Sequence, residues 1–260
     1  MREENWPLAT ISVPPIALDT VLVIIPILNE EASIGAVIQA LQALGLRHIV
    51  VVDNGSDDGG PELAAQAGVK VRYEQRRGYG QACWCGLQAM PASVDWVLFC
   101  DGDGSDDLGT IPAFLSLAQQ GVDLVLGDRT ATSAGRAALT PAQRFGNRLA
   151  TTLIWLGWGH RYRDLGPLRL IRRSALEQIQ MRDRGFGWTV EMQVRAVECG
   201  VTWRELPVAY RPRQGGKSKI SGTLRGSFQA GVIILSTLGW LYGRRLRRRL
   251  RQGIQAWKLF

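Results

Sequence analysis

The sequence predicts an α/β fold in which a mostly parallel sheet is covered by helices on both faces. From Thr20 to residue 127, near-continuous apolar runs typical of buried strands alternate with segments of helical spacing. Polar clusters directly follow three of these runs. Because ligands of such sheets bind beyond the carboxyl ends of the strands, this pattern also predicts one polar rim that carries the functional site.

The first half of the chain contains five predicted strands. The first, TVLVIIPI, begins at Thr20, and the helix after it has an N-cap candidate at Ser33 and ends near Gly45. The segments that follow are strand HIVVVD (48–53), helix ELAAQAG (62–68), strand VKVRYE (69–74), helix YGQACWCGLQAM (79–90), strand DWVLFC (95–100) and strand LVLG (124–127).

Beyond Ala131 the alternation loosens. The predicted segments there are a helix over Pro141–Trp155, strand LRLI (168–171), helices near Ser174–Gln180 and Thr189–Glu198, and one or two short strands in VTWRELPVAYRPR (201–213). A glycine-rich loop, GGKSKISG (215–222), follows. We therefore divide the chain into residues 1–19, a main domain at 20–220, and a helix with a basic tail at 221–260.

Composition limits the possible functions. At 260 residues and 46% hydrophobic content, the chain can bury one sizeable core. The net charge is +8, but Arg244–Phe260 alone holds six arginines, one lysine and no acid. The rest is nearly neutral, which argues against nucleic acid as a partner. The four cysteines lack CxxC spacing, which indicates buried thiols in a reducing compartment. The first residues lack a basic start and an apolar core, so we interpret them as a cytoplasmic leader or a strap.

The stretch FCDGDGSDD places Asp101 and Asp103 directly behind a predicted buried strand. Hard divalent cations such as Mg²⁺ and Mn²⁺ take carboxylate ligands and complete their shells with water and phosphate oxygens. The pair therefore predicts a metal site for a phosphorylated ligand, with a solvated acidic turn as the alternative. An EF-hand calcium loop is excluded, because it requires a glutamate at its twelfth position and a helix before it. Counted from Asp101, the twelfth position here is Pro112, and a predicted strand precedes the loop.

Six motifs, in this order and spacing, resemble family 2 glycosyltransferases with the GT-A fold. They are PILNEEASI, VVDNGSDD, RRGYGQACWCGL, FCDGDGSDD, DLGPLRLI and RPRQGGKSK. The resemblance covers roughly Thr20–Ser236 and is greatest to the dolichyl- or polyprenyl-phosphate sugar transferase group. It implies a nucleotide-sugar half at about 20–130 and an acceptor half at about 131–220.

The resemblance also implies roles for individual residues of the donor half. Asp53 would contact the base or ribose, and Asp101 and Asp103 would bind Mg²⁺ or Mn²⁺ together with the diphosphate. The other residues implied in nucleotide-sugar binding are Pro26, Asn29, Glu30 and Gly78. Ser105 stands where many relatives have a glutamine beside the metal, which leaves a third protein ligand open.

In the acceptor half, Arg129 matches the arginine of a GSR motif, with Asp128 in place of the serine. Arg129, Arg144, Arg148, Arg213 and Lys217 would contact an acceptor phosphate, whose geometry suits arginine. Asp103, Arg129 and Glu191 are the catalytic candidates, with Glu191 in a catalytic or positioning role. Each arginine could instead be a surface residue.

The C-terminal segment has about fifteen mostly apolar residues between Phe228 and Tyr242, followed by RRLRRRLRQG. That run is shorter than the roughly 20 residues needed to span a bilayer. An apolar helix that continues into an arginine cluster suits the interface of an anionic membrane. The alternative is a helix packed on the domain with a solvated basic end.

Together these features and the resemblance predict a metal-dependent transfer of a sugar from a UDP- or GDP-linked donor to a polyprenyl phosphate, and the resemblance implies inversion at the anomeric carbon. The enzyme would lie on the cytoplasmic face of the membrane. One alternative keeps the fold with a hydroxyl acceptor, which would need a general base such as Glu191. A sugar nucleotidyltransferase and a non-catalytic membrane or nucleic-acid binder are the remaining alternatives.

Overall fold

A seven-stranded, mostly parallel sheet forms the centre of the molecule. The computed structural model describes residues 15–213 and 224–257. Within them the strand order is β3-β2-β1-β4-β6-β5-β7, and only β6 runs antiparallel to its neighbours. The strands are β1 (Val21–Ile27), β2 (His48–Asp53), β3 (Lys70–Tyr73), β4 (Trp96–Phe99), β5 (Leu124–Asp128), β6 (Arg169–Arg172) and β7 (Trp203–Pro207). The predicted fold class is confirmed.

Helices connect the strands and cover both faces of the sheet. They are α1 (Glu31–Ala43), α2 (Gly60–Gln66), α3 (Tyr79–Leu87), α4 (Ile111–Gln119), α5 (Ser133–Ala138), α6 (Pro141–Trp158), α7 (Arg173–Ile179), α8 (Trp188–Cys199) and α9 (Leu224–Trp257). The sequence pattern did not predict α4 or α5, and the other helices lie close to their predicted positions.

Two apolar layers hold the helices against the sheet. One layer joins alternate residues of β1, β2 and β4 to α1, α2 and α4. The other joins the opposite face of the sheet to α3, α6, α7, α8 and α9. All four cysteines are free thiols, and Cys83, Cys85 and Cys100 are buried. The expectation of buried thiols is therefore met at three of the four positions.

Helix α1 begins earlier than the sequence pattern predicts. Its N-cap is Glu30, whereas Ser33 lies inside the first turn. The Glu31 N–H donates to Asp58 Oδ2 at 3.0 Å, so a residue from the β2–α2 loop caps the helix. The Ser33 hydroxyl instead donates to Gly102 O at 2.8 Å and links the helix to the loop after β4. A cap supplied from a distant loop leaves no local sequence signal.

Helix α9 packs against α6 and α8 rather than standing apart from the domain. Leu238 and Leu241 are buried in the second apolar layer, and the Tyr242 hydroxyl donates a hydrogen bond to Leu153 O. Val232, Leu235 and Trp240 remain exposed on its outer side. Among the residues described, none of the helices combines the length and apolar character needed to cross a membrane.

Candidate active site

The loops after β1 and β2 form a hydrogen-bonded rim at the carboxyl edge of the sheet. The Asn29 N–H donates to Ser56 Oγ, and Asn29 Oδ1 accepts from the Asp57 N–H, both at 2.8 Å. Asp53 turns its carboxylate onto its own loop, where it accepts the N–H groups of Gly55 and Ser56 at 3.2 and 2.9 Å. Asn29 and Asp53 therefore shape the rim, and neither lines the cavities described below.

Asn54 links this rim to the start of α3. Its Nδ2 donates to Glu74 O and Arg76 O at 2.9 and 2.8 Å, and its Oδ1 accepts from the Gly78 N–H at 2.8 Å. Gly78 has a φ of +151° and lies against the backbone carbonyl of Arg184, where a side chain would collide. The glycine therefore lets the α3 start and the 182–187 loop come together at the rim.

Two cavities meet at the loop after β4. The first, which we call the Pro26 cavity, has a volume of about 350 Å³ and includes Pro26, Glu30, Asn54, Arg77 and Gly78 in its wall. The second, the Tyr210 cavity, has a volume of about 460 Å³ and includes Arg129, Thr140, Gln143, Thr189 and Tyr210. Both cavities are also lined by Tyr79, Asp101, Asp103, Phe186 and Arg213.

Asp103 is held rigidly at the junction of the two cavities. Its Oδ1 accepts from the Ser105 N–H at 2.9 Å and from the Ser105 hydroxyl at 2.5 Å. Its Oδ2 lies 3.6 Å from Arg213 Nη1, and the same guanidinium also pairs with Glu30. Ser105 thus supports Asp103 through its Oδ1, and the Arg213 guanidinium lies beside Asp103 Oδ2.

Asp101 is in an environment that disfavours a negative charge. Burial raises its pKa well above the usual value, and the charges of Asp106 and Asp103 raise it further. Asp106, whose Oδ2 accepts the Asp101 N–H at 2.9 Å, has its pKa raised to about 7, mainly by burial. A divalent cation would relieve this repulsion, so Asp101 and Asp103 fit a metal ion whose shell is completed by water and phosphate oxygens.

Arg129 points into the Tyr210 cavity from the end of β5. Its Nε and Nη2 donate to Asp164 Oδ2 and Oδ1 at 2.8 and 2.9 Å, and its guanidinium lies 4.9 Å from the centre of the Tyr210 ring. Asp164 is fully buried, and its charge raises the pKa of Arg129 despite the opposing effect of burial. The guanidinium therefore stays charged and fixed in orientation at the cavity wall.

The segment after β7 brings Tyr210 and Arg213 to the acidic loop. Tyr210 forms an isolated antiparallel bridge with Asp106, and the Arg211 N–H donates to Ser105 O at 3.0 Å. This pairing places residues 210–213 along the loop after β4, which carries Asp101 and Asp103. Lys217, the next predicted site residue, lies outside the described residues.

Arg144 and Arg148 do not join the acids. They line a separate cavity of about 530 Å³, which we call the arginine cavity, together with Arg136, Arg161 and Arg163. The spacing of Arg144 and Arg148 along α6 predicts that they share one face of the helix, but it does not show whether that face lines the Tyr210 cavity or the arginine cavity.

Glu191 also lies apart from both central cavities. Its Oε2 accepts the N–H groups of Arg182 and Asp183 at 2.8 and 2.6 Å, and the residue lines a cavity of about 270 Å³ beside α9. In this position the carboxylate holds the 182–187 loop, which supplies Phe186 to the central cavities.

Three residues that line the Pro26 or Tyr210 cavity were not among the site residues predicted from the sequence. Tyr79 directly follows Gly78 in the RRGYG motif, and Tyr210 begins the YRPR segment, so both neighbour residues that the motifs did single out. Phe186 lies in a loop without a recognisable pattern and reaches the site only because that loop docks on α3.

Comparison with solved structures assigns the fold to the GT-A class. The structure of glucosyl-3-phosphoglycerate synthase from Mycobacterium tuberculosis in complex with Mn²⁺, uridine diphosphate and phosphoglyceric acid matches with a TM-score of 0.68 at 21% identity. The match covers 86% of this chain and 79% of that one. At this identity the likeness concerns the fold.

The family follows from sequence comparison. The model of glycosyl transferase family 2 matches residues 22–180, and this chain belongs to that family of glycosyltransferases. An uncharacterized glycosyltransferase of Mycobacterium tuberculosis is 40% identical over 218 residues, which cover 82% of this chain and 94% of the relative. A dolichyl-phosphate hexose transferase of Haloferax volcanii is 31% identical over 200 residues, covering 76% and 85%.

Proposed function

We propose that this glycosyltransferase moves a sugar from a UDP- or GDP-linked donor to a polyprenyl-phosphate-type lipid acceptor, with inversion at the anomeric carbon. The observation that carries this proposal is the meeting of two cavities at Asp101 and Asp103. One cavity can hold the donor and the other the acceptor, with the reacting groups brought together at the shared acids.

The donor would occupy the Pro26 cavity, with its diphosphate at the shared acids. Asp101 and Asp103 would hold Mg²⁺ or Mn²⁺, and the ion would supply Lewis-acid stabilisation for the negative charge of the diphosphate leaving group. Mn²⁺ together with uridine diphosphate is bound by the structural relative described above. Glu30 and Gly78 line the cavity, whereas Asn29 and Asp53 maintain the loops that form its rim.

The acceptor would enter the Tyr210 cavity. A phosphate monoester is anionic near neutral pH, and its oxygen can form the new bond to the anomeric carbon as the bond to the diphosphate oxygen breaks. Attack from the opposite side of the sugar gives inversion. Among the described residues, the carboxylates that line the Tyr210 cavity are those of Asp101 and Asp103, the proposed metal ligands, and Arg129 and Arg213 supply positive charge there. This environment favours an acceptor that needs no separate general base.

The lipid acceptor requires access to a membrane, which we place at the cytoplasmic face. Exposed apolar residues lie on α6 (Phe145, Trp155, Leu156) and on α9 (Val232, Leu235, Trp240), and the arginine-rich end of α9 follows. Apolar and basic groups side by side suit the interface of an anionic bilayer. The relative named as a dolichyl-phosphate hexose transferase supports the same acceptor class.

The proposal is tested by a transfer assay. Purified protein in detergent with Mn²⁺ is incubated with radiolabelled UDP- and GDP-sugars and polyprenyl phosphate, and label is counted after extraction into organic solvent. We expect metal-dependent label in the lipid phase with one donor, and a loss of about 100-fold or more in Asp103→Asn.

Asp95→Asn is the matched control, because Asp95 is exposed and lies before β4, at the end opposite to the acids. It should retain wild-type activity. Donor consumption with all label in the aqueous phase would overturn the lipid acceptor and favour a soluble one, such as the phosphoglycerate used by the structural relative. Full activity of Asp103→Asn would overturn the metal role.

A further inference from the structure

The arginine cavity gathers five guanidinium groups from three parts of the chain. Arg136 comes from α5, Arg144 and Arg148 from one face of α6, and Arg161 and Arg163 from the loop after α6. The cavity has a volume of about 530 Å³. Four further polar residues line it: Thr130, Asn147, Thr151 and Thr152.

The positive charge in this cavity is only partly balanced. Asp128 Oδ2 lies 3.9 Å from Arg163 Nη1, and Glu205 accepts the backbone N–H of Arg163 at 2.8 Å. Both acids are tied to Arg163, at one side of the cavity. The guanidinium groups of Arg144 and Arg148, four residues apart on α6, have no carboxylate within ion-pair distance in the described part of the chain.

Hydrogen bonds fix the wall of the cavity. Asn147 Nδ2 donates to Arg163 O at 2.9 Å, and Asn147 Oδ1 accepts from the Leu165 N–H at 2.9 Å, which holds the loop after α6 against that helix. Arg136 Nη1 donates to Thr130 O at 2.6 Å. The arginines therefore approach one another on a preorganised frame, although like charges repel.

We propose that the arginine cavity binds a phosphate-bearing anion at a site separate from the two reaction cavities. Guanidinium groups present paired N–H donors that match phosphate oxygens, so the arginine side chains carry this recognition. Gln143 lines the Tyr210 cavity whereas its neighbour Arg144 lines the arginine cavity, so the two sites adjoin without sharing a residue.

The surroundings of the cavity favour the headgroup phosphate of an anionic lipid. Trp155 lines the cavity and is 46% exposed, and the Arg161 guanidinium lies 5.7 Å from the centre of its ring. Leu156 and Phe145 are exposed on the same helix. Exposed tryptophan and arginine beside apolar side chains are typical of the membrane interface. A soluble phosphate has the same chemistry and is separated in the experiment below.

The experiment compares Arg144→Gln/Arg148→Gln with a control that removes the same charge, Arg47→Gln/Arg204→Gln, whose arginines are exposed away from the cavity. Binding is measured by sedimentation with vesicles of phosphatidylglycerol and phosphatidylcholine that contain no polyprenyl phosphate. We expect the cavity variant to bind about 10-fold more weakly than the control variant. The absence of acceptor and donor makes this result independent of the proposed transfer reaction.

A second measurement addresses a soluble source of phosphate. Pyrophosphate, added without a divalent cation, should raise the Tm of the wild type and the control variant more than that of the cavity variant. A selective effect on vesicles identifies a lipid phosphate, and a selective effect on pyrophosphate alone identifies a soluble one. Equal behaviour of the cavity and control variants in both measurements would overturn the proposal. Arg136→Gln/Arg161→Gln repeats the test if the first variant fails to fold.

Discussion

Arg129 depends on one buried partner for both its charge and its orientation. The two hydrogen bonds to Asp164 are parallel, and the side chains of the pair are 13% and 0% exposed. Removing one member of such a pair leaves a buried charge without compensation, which costs far more than losing an exposed ion pair.

Asp164→Asn should therefore lower the free energy of unfolding by about 3–5 kcal/mol, because Arg129 keeps its charge without a partner. Urea denaturation followed by circular dichroism measures the change. Asp123→Asn is the control, since Asp123 pairs with the partly exposed Arg172 and should cost about 1 kcal/mol or less. Equal losses in the two variants would show that burial does not determine the strength of the Arg129 pair.

The environment of Glu205 should make the free energy of unfolding depend on pH. Burial raises its pKa from 4.5 to about 7, while the N–H groups of Arg163 and Asp164 lower it. Between pH 4.5 and about pH 7, Glu205 is therefore protonated in the native protein and ionised in the unfolded chain. Because the native state binds the extra proton, the stability contributed by Glu205 falls as the pH rises through this range.

Glu205→Gln should flatten this fall, because the amide oxygen can still accept both N–H bonds but cannot ionise. Urea unfolding at pH 5 and pH 8 gives the comparison. The wild type should lose more stability than the variant between these two conditions. The same loss in both proteins would contradict a raised pKa at Glu205.

The sequence indicated which segments lie near the candidate site, but not which cavity each side chain lines. Seven of the predicted site residues line the two central cavities: Pro26, Glu30, Gly78, Asp101, Asp103, Arg129 and Arg213. Asn29 and Asp53 hold loops instead, and Arg144, Arg148 and Glu191 face other cavities. Spacing places a residue on a helix or at a strand end, but the neighbour it meets depends on packing between distant segments.

At the scale of elements, the start of α3 and the 182–187 loop act as one unit. The Gly80 N–H donates to Gly185 O at 3.0 Å, and the Gln81 N–H donates to Arg184 O at 2.7 Å. A Cβ at Gly80 would lie 2.9 Å from the backbone carbon of Arg184, so only glycine permits this approach. The contact fixes Gly185 and Phe186 in the wall of the Pro26 cavity.

Gly80→Ala should destabilise the fold by about 1–3 kcal/mol, because the loop must move away from α3. The KM for the donor should rise, since Phe186 moves with the loop. Gly35→Ala is the control: Gly35 lies in α1 with open space around its Cβ, and alanine there should be neutral or stabilising by up to about 1 kcal/mol. A stable Gly80→Ala with unchanged donor KM would contradict the role of this contact.

Elements with a continuous apolar pattern were predicted, and those defined by distant partners were not. β1, β2 and β4 are nearly uniform apolar runs, and their position at the centre of a parallel sheet follows from that pattern. The antiparallel direction of β6 between β4 and β5 was not specified, because strand pairing is set by contacts far apart in sequence. The short helix α5, with an N-cap at Thr132, interrupts a segment without clear periodicity.

At the scale of the whole molecule, the sheet brings the elements proposed to bind the donor and the acceptor to one edge. β1 and β2 end at the rim, β4 is followed by Asp101 and Asp103, and β5 is followed by Arg129. The segment after β7 adds Tyr210 and Arg213 at the same edge. Helix α9 covers α6 and α8 and leaves apolar residues exposed beside its arginines. The parallel sheet and its polar rim could be predicted from sequence, whereas the division into two cavities required the packed structure.

The most direct test of this account is a crystal structure with Mn²⁺ and a nucleoside diphosphate, in which anomalous scattering locates the metal. We expect one peak within about 2.3 Å of carboxylate oxygens of Asp101 and Asp103, with the diphosphate extending into the Pro26 cavity. Arg213 Nη1, which lies 3.6 Å from Asp103 Oδ2, should then move away from that oxygen. A metal peak away from both aspartates, or a diphosphate bound only in the arginine cavity, would contradict the account.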